Sequence, residues 1–169
     1  MIRTIIIFIL LSPVCLFGQD YERAAGVRLG ATSGVTYKKF IVEKEAVEMI
    51  LSGRNEGTQF TALYEFHTPI EVNFEQENFH FYYGVGGHIG VERFDDLNKV
   101  LVSEDPVEFI FEDKSYFAMG LDIIAGVEYR YLSVPMTIAF EIKPYFSFIG
   151  MRYTKSKFWD AGLSIKYIF

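Results

Sequence analysis

Hydrophobic and polar residues alternate with a period of two along most of this chain, the pattern of strands with one apolar face. In the clearest run, Met119, Leu121, Ile123, Ala125, Val127, Tyr129 and Tyr131 share one side. Gly120, Asp122, Ile124, Gly126, Glu128 and Arg130 lie on the other. Residues 136–148 and 159–169 repeat the pattern, as do 25–31, 58–67 and 79–91. Two weaker runs, 34–41 and 45–52, complete a set of eight predicted strands. The second of these also contains good helix formers, so a short amphipathic helix is an alternative there. Tight turns are predicted near Thr32–Gly34, at 53–57 and near Leu132–Pro135. Residues 94–117 read as a long acidic loop, and 149–157 as a shorter turn at the same end.

The two faces differ in a telling way. One is uniformly large and apolar; the other mixes glycine with charge. Turned inward, as in a soluble sandwich or lipocalin-like barrel, the apolar face would leave in-strand glycines on the surface, where they weaken a sheet. Turned outward, the apolar face meets lipid, and glycine makes room for large polar side chains in a narrow interior. Several runs reach the ~9–11 residues that a tilted membrane strand needs. In lipid every backbone N–H and C=O must be paired, so such a sheet has to close on itself. The strand pattern that continues to Phe169 fits a last strand zipped to the first.

Composition sharpens this picture. Aromatic residues make up 17% of the chain, led by 17 Phe and 11 Tyr. Several fall near strand ends on the apolar side, and Tyr129, Tyr131, Phe146, Phe148 and Trp159 are the expected aromatic girdle. A net charge of −6 and a pI near 5.1 argue against a nucleic-acid binder. The first 19 residues read as a secretory signal, with Arg3 before the apolar stretch Ile5 to Leu11 and cleavage near Gly18–Gln19. A lipoprotein signal centred on Cys15 needs small residues just before it, and "SPV" does not supply them. Residues 20–169 then form one domain without cysteine.

The signal-like start, the eight amphipathic strands and the closing "LSIKYIF" together resemble small OmpA-type outer-membrane β-barrels, in the porin-like outer membrane protein β-barrel superfamily. The resemblance implies an all-β fold, an eight-stranded antiparallel up-and-down transmembrane β-barrel in the bacterial outer membrane. Outer-membrane lipid would surround it. The barrel-assembly machinery would read Ile165, Tyr167 and Phe169 as a C-terminal assembly signal. Activity does not follow, because the superfamily holds structural, adhesive and enzymatic members.

By parity, Arg28, Glu48, Glu65, Asp122, Glu128, Arg130, Glu141, Lys143 and Lys166 point into the lumen, with His67 and His88. Charges in so narrow a space need partners, so a paired polar plug is expected. An eight-stranded interior is just filled by side chains, which argues against a wide pore. His67, His80 and His88 share the inward face, but their spacing matches no metal-ligand motif, and no cofactor is expected. Ser115 and Ser156 are placed in loops away from any histidine, and no nucleophile motif is present. The expected function is a non-enzymatic structural or surface-interacting barrel. The alternatives are a secreted soluble barrel holding a small hydrophobic ligand and a membrane-embedded lipid-modifying enzyme.

Overall fold

The computed structural model describes residues 22–54, 57–70, 78–98, 110–131, 133–149, 153–157 and 159–169. The proposed signal, residues 1–19, lies outside them. Ten strand segments follow one another: β1 (Arg23–Gly30), β2 (Ser33–Val42), β3 (Glu45–Arg54), β4 (Gly57–Pro69), β5 (Phe79–Asn98), β6 (Ile110–Arg130), β7 (Met136–Ile142), β8 (Tyr145–Ile149), β9 (Tyr153–Lys157) and β10 (Ala161–Ile168). They build a closed barrel of eight antiparallel strands. β7 and β8 are two halves of the seventh strand, and β9 and β10 two halves of the eighth. The break falls at Lys143–Pro144, because proline lacks the N–H a ladder needs. The backbone stays paired across it: Lys143 N–H donates to the Asp160 carbonyl and Ile123 N–H to the Pro144 carbonyl, both at 2.9 Å.

Closure comes from β1 against β10, with Ala25 opposite Tyr167 and Gly30 opposite Gly162. Phe169 N–H donates to the Arg23 carbonyl at 2.9 Å, so the ladder continues through the last residue. Residues 45–52 are strand and not helix, since a closed wall leaves β2 and β4 no other partner. Four sequence expectations change. The turn near Thr32–Gly34 tightens, with β2 starting at Ser33, and the 53–57 turn loses residues to β3 and β4. Residues 94–98 and 110–117 are not loop but the upper parts of β5 and β6. Residues 153–157 are also strand, so Ser115 and Ser156 both lie in strands.

The side chains are sorted as a lipid solvent demands. Leu121 is 68% exposed, Phe140 57% and Ile123 56%, whereas Glu128 and Glu141 are fully buried. In water such a belt would exceed by far the apolar patch of ~300–600 Å² found on ordinary soluble monomers. The interior is tight enough that glycine makes room for a large lumen side chain at two wall positions. A Cβ on Gly162 would come 2.8 Å from the Arg28 guanidinium, and one on Gly126 would come 2.7 Å from the Tyr82 hydroxyl.

Candidate functional site: the ion-paired lumen

Every predicted lumen charge points inward, and nearly all are fully buried. They fall into two groups. In the first, Lys38 Nζ lies 2.8 Å from Glu65, 3.0 Å from Glu48 and 3.6 Å from Glu128. Lys166 pairs with Glu48 at 2.7 Å, and the Thr36 hydroxyl donates to the same carboxylate. Arg130 holds Glu128 at 3.0 Å, and His67 contacts Glu65 at 3.1 Å. Phe40 lies beside this group, its ring 4.8 Å from the His67 ring and 5.5 Å from the Arg130 guanidinium.

The second group lies toward the opposite end. Arg28 donates from Nε to Glu141 at 2.5 Å and from Nη1 to the Thr32 carbonyl at 2.5 Å. It also reaches Asp160 at 3.4 Å, and the Thr32 hydroxyl donates to Asp160 at 2.7 Å. Lys143 bridges Asp122 at 3.0 Å and Asp160 at 3.6 Å. Tyr82 joins the two groups. Its hydroxyl donates to Glu141 at 2.6 Å while Lys38 Nζ sits 4.3 Å from its ring centroid. Ile50, Leu63, Ile124 and Ala139 pack with Tyr82 into an apolar cluster inside the same lumen.

Sequence parity missed two members. Lys38 was not assigned to the lumen, although it is the hub of the first group. Asp160 is likewise absent from the parity set, yet it binds Arg28 and Lys143.

A third arrangement was not anticipated. His88 Nδ1 lies 2.6 Å from Asp122, and its Nε2 lies 3.1 Å from the Ser147 hydroxyl. A carboxylate next to Nδ1 fixes that nitrogen as the donor, leaving Nε2 to accept from Ser147. This is the order of groups in a serine nucleophile relay. β5, β6 and β8 bring it together, with His88 opposite Gly120 and Gly120 opposite Ser147. No local motif announces it, because its members are spread over 60 residues of chain. Ser147 is fully buried and His88 3% exposed.

The girdle residues are on the outer face. Phe79 and Tyr129 rings lie 4.8 Å apart and Tyr129 and Tyr131 4.9 Å apart, grouped at the end nearest the termini. Phe146 and Phe148 pack at 4.9 Å farther up the wall. Trp159 is 76% exposed, but it sits between β9 and β10 and not at the end of the final strand, which continues to Tyr153. Of the proposed assembly residues, Tyr167 and Phe169 face outward and Ile165 is half-buried. Among the described residues, no three or more metal-ligating side chains converge.

No family model and no curated protein matches the chain. Among solved structures, the fold is similar to the N-terminal β-barrel domain of Pseudomonas aeruginosa OprF, with a TM-score of 0.60, 12% identity, and coverage of 89% of this chain and 100% of that one. The chain therefore has the fold of an OprF/OmpA-type eight-stranded barrel.

Proposed function

We propose that this protein is an integral barrel of a bacterial outer membrane, exported by its first 19 residues, with a structural or surface-interacting role, no wide pore and no enzymatic activity. One observation carries the reading: the apolar belt is outside and the ion pairs are inside. A soluble barrel that encloses a hydrophobic ligand needs the opposite sorting. The filled lumen supports a plug over a pore, since Arg28, Lys38, Lys143 and Lys166 each hold carboxylates across it. Ile165, Tyr167 and Phe169 would be the signal read by the barrel-assembly machinery, and outer-membrane lipid the surrounding partner. The expected result is recovery in the outer-membrane fraction only with detergent, and a folded band that migrates differently from the boiled chain. Recovery from the soluble periplasm without detergent would overturn the reading.

The Ser147–His88–Asp122 relay favours the lipid-modifying alternative on geometry alone. Burial opposes it, because a nucleophile needs a reacting carbon within about 3–3.5 Å and Ser147 presents no surface. We expect a fluorophosphonate probe to leave Ser147 unlabelled in the folded barrel. Labelling that disappears in Ser147→Ala and His88→Ala would establish the enzymatic reading instead.

A further inference from the structure

The outer wall is not evenly filled. Ala25 of β1 stands between two tyrosines, Tyr167 of β10 and Tyr37 of β2. A small side chain between two large ones leaves a hollow. A groove of about 440 Å³ lies there, lined by Ala25, Val35, Tyr37, Met49, Leu51 and Phe60, and its walls are almost entirely apolar. These side chains are on the outward face, so the groove opens to whatever surrounds the barrel and not to the lumen.

Toward the end nearest the termini, the same face turns from apolar to charged. Arg23, two residues from Ala25 on β1, stands directly opposite Lys39 of β2. Like charges placed so are destabilising, and an anion between them relieves the repulsion. Arg23 reaches only the exposed Glu22, at 3.5 Å. Lys39 is exposed and makes no ion pair among the described residues.

A carboxylate is close by but does not serve them. Glu45 opens β3 on the outer face, opposite the exposed Phe66. Lys39 is level with Val47, so Glu45 stands on its diagonal, about 7–8 Å away. Glu45 accepts instead from the Tyr64 hydroxyl, a neutral donor that leaves its charge unmatched. Tyr64 meets Phe66 edge-on at 5.3 Å, and Phe66 stacks on Tyr83 at 5.6 Å. A carboxylate beside aromatic rings is a setting for an ammonium group.

We propose that this face binds one ethanolamine phospholipid of the leaflet nearest the termini. An acyl chain lies in the groove at Ala25, the phosphate meets Arg23 and Lys39, and the ammonium donates to Glu45. The inference rests on the membrane reading, which supplies the lipid. The site distinguishes headgroups by their chemistry. A choline ammonium has methyl groups where ethanolamine has N–H donors, and a glycerol headgroup brings no cation to Glu45.

The test uses the full chain folded in detergent, with folding confirmed by the gel shift and insertion into bilayers checked on the same preparation, so that failure of the membrane reading shows separately. Phosphatidylethanolamine, phosphatidylcholine and phosphatidylglycerol with matched acyl chains are added in equal amounts, and the lipid retained on each barrel is identified by native mass spectrometry. One phosphatidylethanolamine is expected, favoured about tenfold over either competitor. Glu45→Gln abolishes the preference while a phospholipid is still retained. Arg23→Glu with Lys39→Glu lowers retention of all three about tenfold, and Ala25→Phe, which fills the groove, does the same. Excess inorganic phosphate leaves the lipid in place. Equal retention of the three lipids by folded barrels overturns the proposal. So does a preference that survives Glu45→Gln, retention unchanged by Ala25→Phe, or displacement by phosphate alone.

Discussion

Replacing Lys38 with alanine is expected to lower the unfolding free energy of the barrel by about 3–5 kcal/mol, the cost of removing one partner from a buried ion pair. Lys38 has no exposed surface, and its ammonium serves Glu48, Glu65 and Glu128 at once. Two of these keep another cation after the change, Lys166 on Glu48 and Arg130 on Glu128. Glu65 keeps only His67 among its described ion partners, and one of its oxygens already lacks a hydrogen-bond donor. The stranded Glu65 carboxylate therefore accounts for most of the loss. A double variant, Lys38→Met with Glu65→Gln, should recover more than half of it, because charge and partner leave together. Urea unfolding in lipid bilayers measures both. A loss under about 1 kcal/mol for Lys38→Ala would mean that the lumen is hydrated well enough to solvate Glu65, and the plug described here would be wrong.

How much of this was legible in sequence follows from which solvent each residue meets. A wall with an apolar outer face and a polar lumen enforces alternation, so the runs at 119–131 and 79–91 announce both strand and face. Residues 94–98 and 110–117 do not alternate in sequence, so within the stretch 94–117 these parts of β5 and β6 read as an acidic loop. Lys38 was hidden for another cause. It sits in "YKKF", where adjacent lysines suggest a solvated pair, yet the ladder turns Lys38 into the lumen and leaves Lys39 exposed. The register shift between Phe40 and Val42 further blurs the period there. Parity predicts direction and not distance, so it could list Asp122, His88 and Ser147 on one inner surface without joining them. Their contact depends on how β5, β6 and β8 are staggered, which lies in the pairing between strands and not in any one of them.

Ile123→Arg separates a membrane barrel from a soluble one more sharply than any change in the lumen. Ile123 is exposed on the outer face of β6, between Phe117 toward the outer rim and the Tyr129–Tyr131 rings at the other end. That places it near the middle of the apolar belt. In a bilayer, arginine at the midplane of a barrel wall costs about 2–4 kcal/mol, falling to about 0–1 kcal/mol near the interface. Tyr131→Arg, on the same face at the rim, is the matched control and is expected to cost under about 1 kcal/mol. In water the two would behave alike, since an exposed isoleucine exchanged for arginine gives up little packing and gains solubility. The depth dependence is thus a property of the solvent around the wall. If the two variants unfold at the same urea concentration in bilayers, no hydrocarbon surrounds β6, and the outward apolar belt must be covered by protein instead.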